Sequence, residues 1–288
     1  MKFSNNHNLP EAIARAARSD KYSRGEADIS VTQLIDAPQV RHLREIHKGD
    51  LEIDVADRVW ALLGTAVHSL LEHSRSYVVT EERLYAKCRG WTISGGVDVQ
   101  TDHSIEDYKV TSVWAAMQEK PEWERQLNCY NWLRRKVKGT SASELYIYAI
   151  LRDWNRSEAK RDGSYPQCPV LKIPIPVWDD LAQDAYVLGR VMLHQKAEPP
   201  LCTSEERWAE DRKWATKKPK GVRAKKVFDN FEAATQYAEE NNLEIEERDG
   251  KSKRCDGDYC GVSRWCLQYQ GGKKTVAIDG DGKEADTN

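Results

Sequence analysis

Residues 91–110 read as short strands, yet they carry charge where a strand interior is normally apolar. Asp98 follows Gly95-Gly96 within Val97-Asp98-Val99, and Asp107-Tyr108-Lys109 interrupts the run from Ile105 to Val110. An unpaired buried carboxylate is costly, so a charged aspartate within an otherwise apolar strand is hard to explain by folding alone. Side chains alternate along a strand. Asp107 and Lys109 therefore point to one side, and Tyr108 points to the other with its carbonyl left beside the carboxylates. Asp-x-Lys alone also describes a surface ion pair, and Asp98 alone a turn residue; the ordered combination carries more weight.

The flanking segments predict helices. Asp54 to His73 repeats apolar residues at helical spacing (Val55, Val59, Leu62, Leu63, Ala66, Val67, Leu70, Leu71). Gly64, His68 and Glu72 share one face of it, and a glycine at that position predicts close approach by another backbone. Pro121 to Val137 predicts a second helix, with proline in its first turn and Gln126 and Tyr130 on one face. Strands are expected over Tyr77–Tyr85, Leu145–Leu151 and, at a sheet edge because of its prolines, Leu171–Val177. Further helices are expected over Pro10–Arg18, Asp180–Lys196 and Phe231–Asn241, and Ser30 is a fair N-cap for another. An antiparallel meander is the simplest arrangement of the strands around Asp98 and Asp107. The fold class is α/β, with a central sheet flanked by helices.

Two carboxylates and a lysine on adjacent strands are the minimum equipment for metal-dependent hydrolysis of a phosphodiester. Magnesium or manganese supplies the activated water and neutralises developing charge, and magnesium prefers oxygen ligands. Asp98, Asp107 and the Tyr108 carbonyl suit such an ion, and Lys109 suits the attacking water. His68 is either a metal ligand or an ordinary helix histidine. Gln126 and Tyr130 line the same site or belong to the core. Glu81 or Glu82 is a candidate third carboxylate.

The order Gly64-Thr65-Ala66-Val67-His68, Gly96-Val97-Asp98, Asp107-Tyr108-Lys109 and Gln126-Leu127-Asn128-Cys129-Tyr130 resembles the PD-(D/E)xK nuclease superfamily, and within it the RecB-like exonuclease branch with its phage-encoded and CRISPR-associated members. The resemblance covers roughly residues 55 to 200. It implies a restriction-endonuclease-like core with a mixed sheet. It further implies Asp98, Asp107 and His68 as metal-site residues, Lys109 as the residue serving the water, and Gln126 and Tyr130 as the helix motif after the catalytic lysine. The implied activity is a metal-dependent DNA exonuclease in phage or prokaryotic recombination, repair or replication, acting on single- or double-stranded DNA, with a recombination or replication protein as an expected partner. The alternative is a nuclease-fold DNA-binding accessory that no longer cuts.

From Glu198-Pro199-Pro200 the character changes. Cys255, Cys260 and Cys266 cluster, with Cys202 upstream as a possible fourth ligand; four thiolates suit zinc or an iron–sulfur cluster, and free thiols are the plainer alternative. The resembling family often holds an iron–sulfur cluster with three clustered cysteines and one distant one. Here four residues separate the first pair instead of two, and no cysteine precedes His68. Lys217, Lys218, Lys220, Arg223, Lys225 and Lys226 could bind phosphates, and Trp208 and Trp214 could stack bases; a solvated loop explains the same charges. The expected organisation is a nuclease core over 1–200, a cysteine-containing basic subdomain over 201–270, and an acidic disordered tail over 271–288. With 44 Lys and Arg against 46 Asp and Glu, overall charge does not announce a nucleic-acid binder. No apolar run reaches the ~20 residues of a membrane span and Met1–Asn6 lacks a signal-peptide character, so a cytoplasmic protein is expected.

Overall fold

The computed structural model describes residues 2–19, 25–74 and 79–276. It divides into two units, Met1–Arg41 with His47–Pro199, and His42–Ile46 with Pro200–Asn288. In chain order the first contains β1 (Lys2–Ser4), α1 (Glu11–Arg18), β2 (Ile29–Ser30), α2 (Val31–Ile35), α3 (Pro38–Ile46, whose second half belongs to the other unit), β3 (Glu52–Asp54), α4 (Val59–His73), β4 (Val79–Cys88), β5 (Trp91–Gln100) and β6 (Ser104–Thr111). It continues with α5 (Val113–Ala116), α6 (Pro121–Lys138), β7 (Glu144–Leu151), α7 (Arg156–Arg161), β8 (Val170–Ile175) and α8 (Asp180–His194). Tyr77 and Val78 lie outside the described residues.

The central sheet is mixed. It runs β2-β5-β6-β7-β8, with β4 also paired to β5. Contacts β4–β5, β5–β6 and β7–β8 are antiparallel, whereas β2–β5 and β6–β7 are parallel. The simple meander thus ends at β6. A parallel partner requires a crossover, and α5 and α6 supply it. β5 runs unbroken through Gly95-Gly96, so Asp98 is a strand residue and not part of a turn. β8, with Pro174, is the edge strand.

α6 is the helix that the core is built on. Pro121 opens it and Gly139, at φ +73°, closes it in the left-handed conformation. Leu127 and Leu133 of α6 pack with Ile93 and Val97 of β5 and with Leu145 and Ile147 of β7 in one apolar cluster. Gly95 makes this approach possible. A Cβ there would stand 2.7 Å from Leu133 Cδ1 and 2.8 Å from Tyr130 Cε1.

α4 behaves differently from its periodicity. None of its residues is buried, and Trp60, Leu63 and Leu70 are exposed. Nothing stands within 4 Å of a Cβ built at Gly64, so the close approach expected there is absent among the described residues. Repeating apolar residues define a face; they do not say what covers it.

The second unit holds β9 (Lys213–Lys217), β10 (Ala224–Phe228), α9 (Phe231–Asn241), β11 (Glu244–Arg248), α10 (Lys253–Asp256) and α11 (Leu267–Val276). Its sheet runs β10-β9-β11, antiparallel throughout. Gly271–Val276 belong to α11 instead of a disordered tail; residues 277–288 lie outside the described residues. No helix among the described residues is long and apolar enough to cross a membrane.

Two expectations follow for stability. Gly95→Ala forces α6 from the sheet and costs about 1–3 kcal/mol by overpacking, while Gly64→Ala gains up to about 1 kcal/mol from helix propensity; urea denaturation distinguishes them, and the reverse order contradicts this packing. The second concerns His194, which is 6% exposed. Its Nε2 donates to the Leu34 carbonyl at 3.0 Å, and Nδ1 has no partner. Burial, with Arg190 and Arg41 nearby, lowers its pKa from 6.5 to about 4, against the Leu34 bond and Asp36. The unfolded chain therefore binds the proton first, and stability present above pH 6.5 is lost as pH falls towards 4, by up to about 3 kcal/mol at ~1.4 kcal/mol per unit. Thermal melts across this range should flatten in His194→Gln.

Candidate metal centre at a fork between two strands

β5 has β4 along one edge. Its other edge is shared: β2 pairs at Ile93 and Ser94, and β6 pairs only at Val99↔Glu106 and Gln100↔Ile105. The next pair in register would be Asp98 opposite Asp107, and there the ladder stops. Asp98 Oδ2 instead accepts from the Tyr108 backbone N–H at 2.8 Å. The carboxylate takes the place of a backbone acceptor that the parting strands no longer provide, which satisfies the amide and fixes Asp98 at the mouth of the fork.

His68 on α4 closes the same point. Its Nδ1 lies 3.3 Å from Asp98 Oδ2 and its Nε2 lies 3.0 Å from the Tyr108 carbonyl oxygen. Both ring nitrogens face acceptors, an arrangement that only the doubly protonated ring satisfies. The Asp98 bond accordingly raises the His68 pKa above 6.5 against partial burial. When protonated, the ring is a cation held between a carboxylate and a backbone carbonyl, two of the groups expected to ligate a metal.

Asp107 is 2% exposed. Its Oδ2 stands 2.6 Å from Lys109 Nζ, on the same side of β6, while Oδ1 lies 3.4 Å from Gln126 Nε2. Gln126 also donates to the Tyr130 hydroxyl at 2.7 Å, and the Tyr130 ring rests on Gly95. The chain of contacts from Gly95 through Tyr130 and Gln126 therefore orients Asp107. Burial pushes the Asp107 carboxyl up to about 6; Lys109 opposes this and Asp98 adds to it.

The donors fit a hard divalent cation in kind: two carboxylates and a carbonyl around a fork already populated by side-chain cations. In this arrangement each carboxylate is closed onto its own cation, and no three His, Cys, Asp or Glu side chains among the described residues are grouped tightly enough to hold a metal. A bound ion requires His68 to give up a proton and Lys109 to release an Asp107 oxygen. Glu82 takes no part, being paired with Lys138 and accepting from Gln100 at 2.9 Å. The Glu81 side chain lies outside the described residues.

In the second unit Cys255, Cys260 and Cys266 are buried and Cys202 is half-buried, all as free thiols. Gln268 clips Cys202 in place, accepting from its N–H at 3.0 Å and donating to its carbonyl at 2.9 Å, beside the Cys266 end of α11. Arg44 donates to the Cys260 carbonyl at 3.2 Å. Burial pushes the Cys202 thiol up to about 12, with Glu206, Cys266 and Cys260 adding to the rise; burial likewise raises Cys255, again with Cys260 and Cys266 contributing. The four thiols therefore share one neighbourhood, though not ligand geometry. Cys88, Cys129 and Cys168 are also free thiols, and all three belong to the first unit.

The basic stretch forms the β9–β10 hairpin. Lys217 is spent on Glu246 at 2.8 Å, and Lys226 lies over the Phe228 ring at 4.9 Å. Lys218, Lys220, Arg223 and Lys225 are exposed. Trp214 packs on Phe231 and Trp208 on Tyr259; Trp214 is half-buried, and Trp208 keeps half its surface in solvent.

One feature escaped sequence reasoning. Arg152 lies 4.4 Å over the ring of Trp60, on the stripe of α4 that also carries Gly64 and His68. The four-residue spacing of 60, 64 and 68 was its only trace in the sequence.

No protein-family model matches this chain, and no curated protein matches its sequence. Among solved structures, the crystal structure of SSO0001 shares 16% identity, covers 63% of this chain and 83% of its own, and superposes with a TM-score of 0.42. A likeness of that degree assigns neither family nor activity.

Proposed function

We propose that this chain is a divalent-metal-dependent deoxyribonuclease of the PD-(D/E)xK kind, acting as an exonuclease in phage or prokaryotic recombination, repair or replication. The observation that carries the proposal is the convergence of Asp98, Asp107, the Tyr108 carbonyl, Lys109 and His68 at the fork. Magnesium or manganese bound there would supply an activated water and offset the charge developing on the phosphate. Asp98, Asp107 and the Tyr108 carbonyl would hold it. Lys109, on the Asp107 side, holds the attacking water by donating to it. Gln126 and Tyr130 keep Asp107 in one orientation. The preference for DNA ends rests on His68 through the family resemblance alone.

In the second unit the four cysteines are the proposed ligands of zinc or an iron–sulfur cluster, which would staple that unit. Lys218, Lys220, Arg223 and Lys225 would bind DNA phosphates without reading sequence.

A second reading, a DNA-binding accessory that does not cut, is favoured by one observation: His68 and Lys109 already neutralise both carboxylates.

Linear and closed-circular DNA incubated with magnesium or manganese tests the proposal. Linear DNA alone should be degraded, and Asp98→Asn, Asp107→Asn or Lys109→Met should each lower the rate ~100-fold or more with an unchanged circular-dichroism spectrum. Cutting of the circle makes the protein an endonuclease; binding without cleavage under any divalent ion establishes the accessory. For the cysteines, metal analysis of protein purified without oxygen should find zinc or iron, lost in Cys260→Ser together with part of the melting temperature. A metal-free wild type that melts identically to Cys260→Ser contradicts the staple.

A further inference from the structure

α4 leaves part of its apolar surface exposed next to the fork, at Trp60, Leu63 and Leu70. Trp60 is 59% exposed, and a large aromatic left in water forgoes burial that would stabilise the fold. The guanidinium of Arg152 lies 4.4 Å over its ring, a contact that fixes the indole. Trp60, Gly64 and His68 recur every four residues and so follow one face. Eight residues of helix separate Trp60 from His68 by about 12 Å, which is about three nucleotide steps of a stacked strand. Between them Gly64 offers bare backbone, with nothing within 4 Å of where a Cβ would stand. Among the described residues no side chain crowds the step between His68 and Trp60 at Gly64.

Both ends of this path are tied to β6. His68 bonds the Tyr108 carbonyl, and the Arg152 N–H donates to the Thr111 carbonyl at 2.9 Å. The catalytic candidates Asp107 and Lys109 sit on the same strand. Arg152 places a positive charge at the Trp60 end, and α4 carries no acidic residue from Val59 to His68; at the fork end Lys109 and His68 are paired with Asp107 and Asp98.

We infer that Trp60 and Arg152 form a base-stacking platform for a single nucleic-acid strand, about three nucleotides from the phosphate held at the fork. The inference rests on the nuclease reading of the fork. Arg152 covers one face of the indole and sets its orientation, a base stacks on the other, and the Arg152 charge lies within reach of the adjoining phosphate. Stacking of this kind tolerates any base, in keeping with a site that does not read sequence. The strand crosses α4 above Gly64, which is where a larger side chain would obstruct it.

The test uses full-length Asp107→Asn protein without added metal and single-stranded oligonucleotides carrying 2-aminopurine at successive positions from one end. Anisotropy reads affinity and 2-aminopurine emission reads stacking, so neither depends on cleavage. Emission should be quenched at one position. Trp60→Ala should abolish that quench and weaken binding about 5- to 150-fold, the equivalent of one stacked base. Trp60→Phe should retain most of both, and Arg152→Ala should weaken binding less than Trp60→Ala. Quenching unaffected by Trp60→Ala, unchanged affinity, or no binding of the oligonucleotide at all overturns the platform. So does a Trp60→Ala protein that binds DNA normally but falls from oligomer to monomer in sedimentation, since the stripe would then be covered by a second copy. If the position-specific quench depends on Trp60 yet the wild type never cleaves, the platform stands and the nuclease reading falls; if cleavage occurs and Trp60→Ala behaves as wild type, the platform alone falls.

Discussion

β5 and β6 pair at two positions and then part, and the two aspartates stand at the point of parting. Ladder hydrogen bonds left unmade must be satisfied elsewhere. The Tyr108 N–H finds the Asp98 carboxylate at 2.8 Å, so a side chain completes the backbone's bonding while its second oxygen remains for other work. The fork persists because both strands are committed elsewhere: β5 to β4 along its length, and β6 to β7 over eight residues. A sheet zipped to its end would leave no place for a substrate or an ion between Asp98 and Asp107.

A carboxylate buried beside another carboxylate has its pKa raised unless cations intervene. Lys109 and His68 intervene here, one for each carboxylate. Asp107, almost without solvent, still has its pKa pushed up to about 6 despite Lys109. Such a site is electrostatically unsettled in a way that a divalent cation would relieve, because a double charge serves both carboxylates at once. The same ion would free the lysine to hold a water. Behind the site, Gly95 admits Tyr130 and Leu133 of α6, and through Gln126 that helix governs the orientation of Asp107.

Much of this site could be read from residue order. Asp98, Asp107, Lys109, His68, Gln126 and Tyr130 were all candidates before any geometry, and alternation along a strand placed Asp107 beside Lys109. The end of the β5–β6 ladder could not be read, since register depends on the partner strand and not on local composition. Two glycines show the same limit. Gly95 and Gly64 each lie in an apolar run, yet only Gly95 meets a packed neighbour. The basic stretch overstated its free charge, because Glu246, 29 residues from Lys217, neutralises it. His42–Ile46 gave no sign that it belongs with the cysteine-containing unit, which only contacts distant in sequence reveal.

The most direct measurement is anomalous diffraction from crystals soaked in manganese, wild type beside Asp107→Asn. One manganese ion should lie in the fork, ligated by Asp98, Asp107 and the Tyr108 carbonyl, with Lys109 withdrawn from Asp107, and it should be missing from the variant. A fork without manganese, with His68 still bridging Asp98 and Tyr108 and Lys109 still paired to Asp107, would contradict the metal centre.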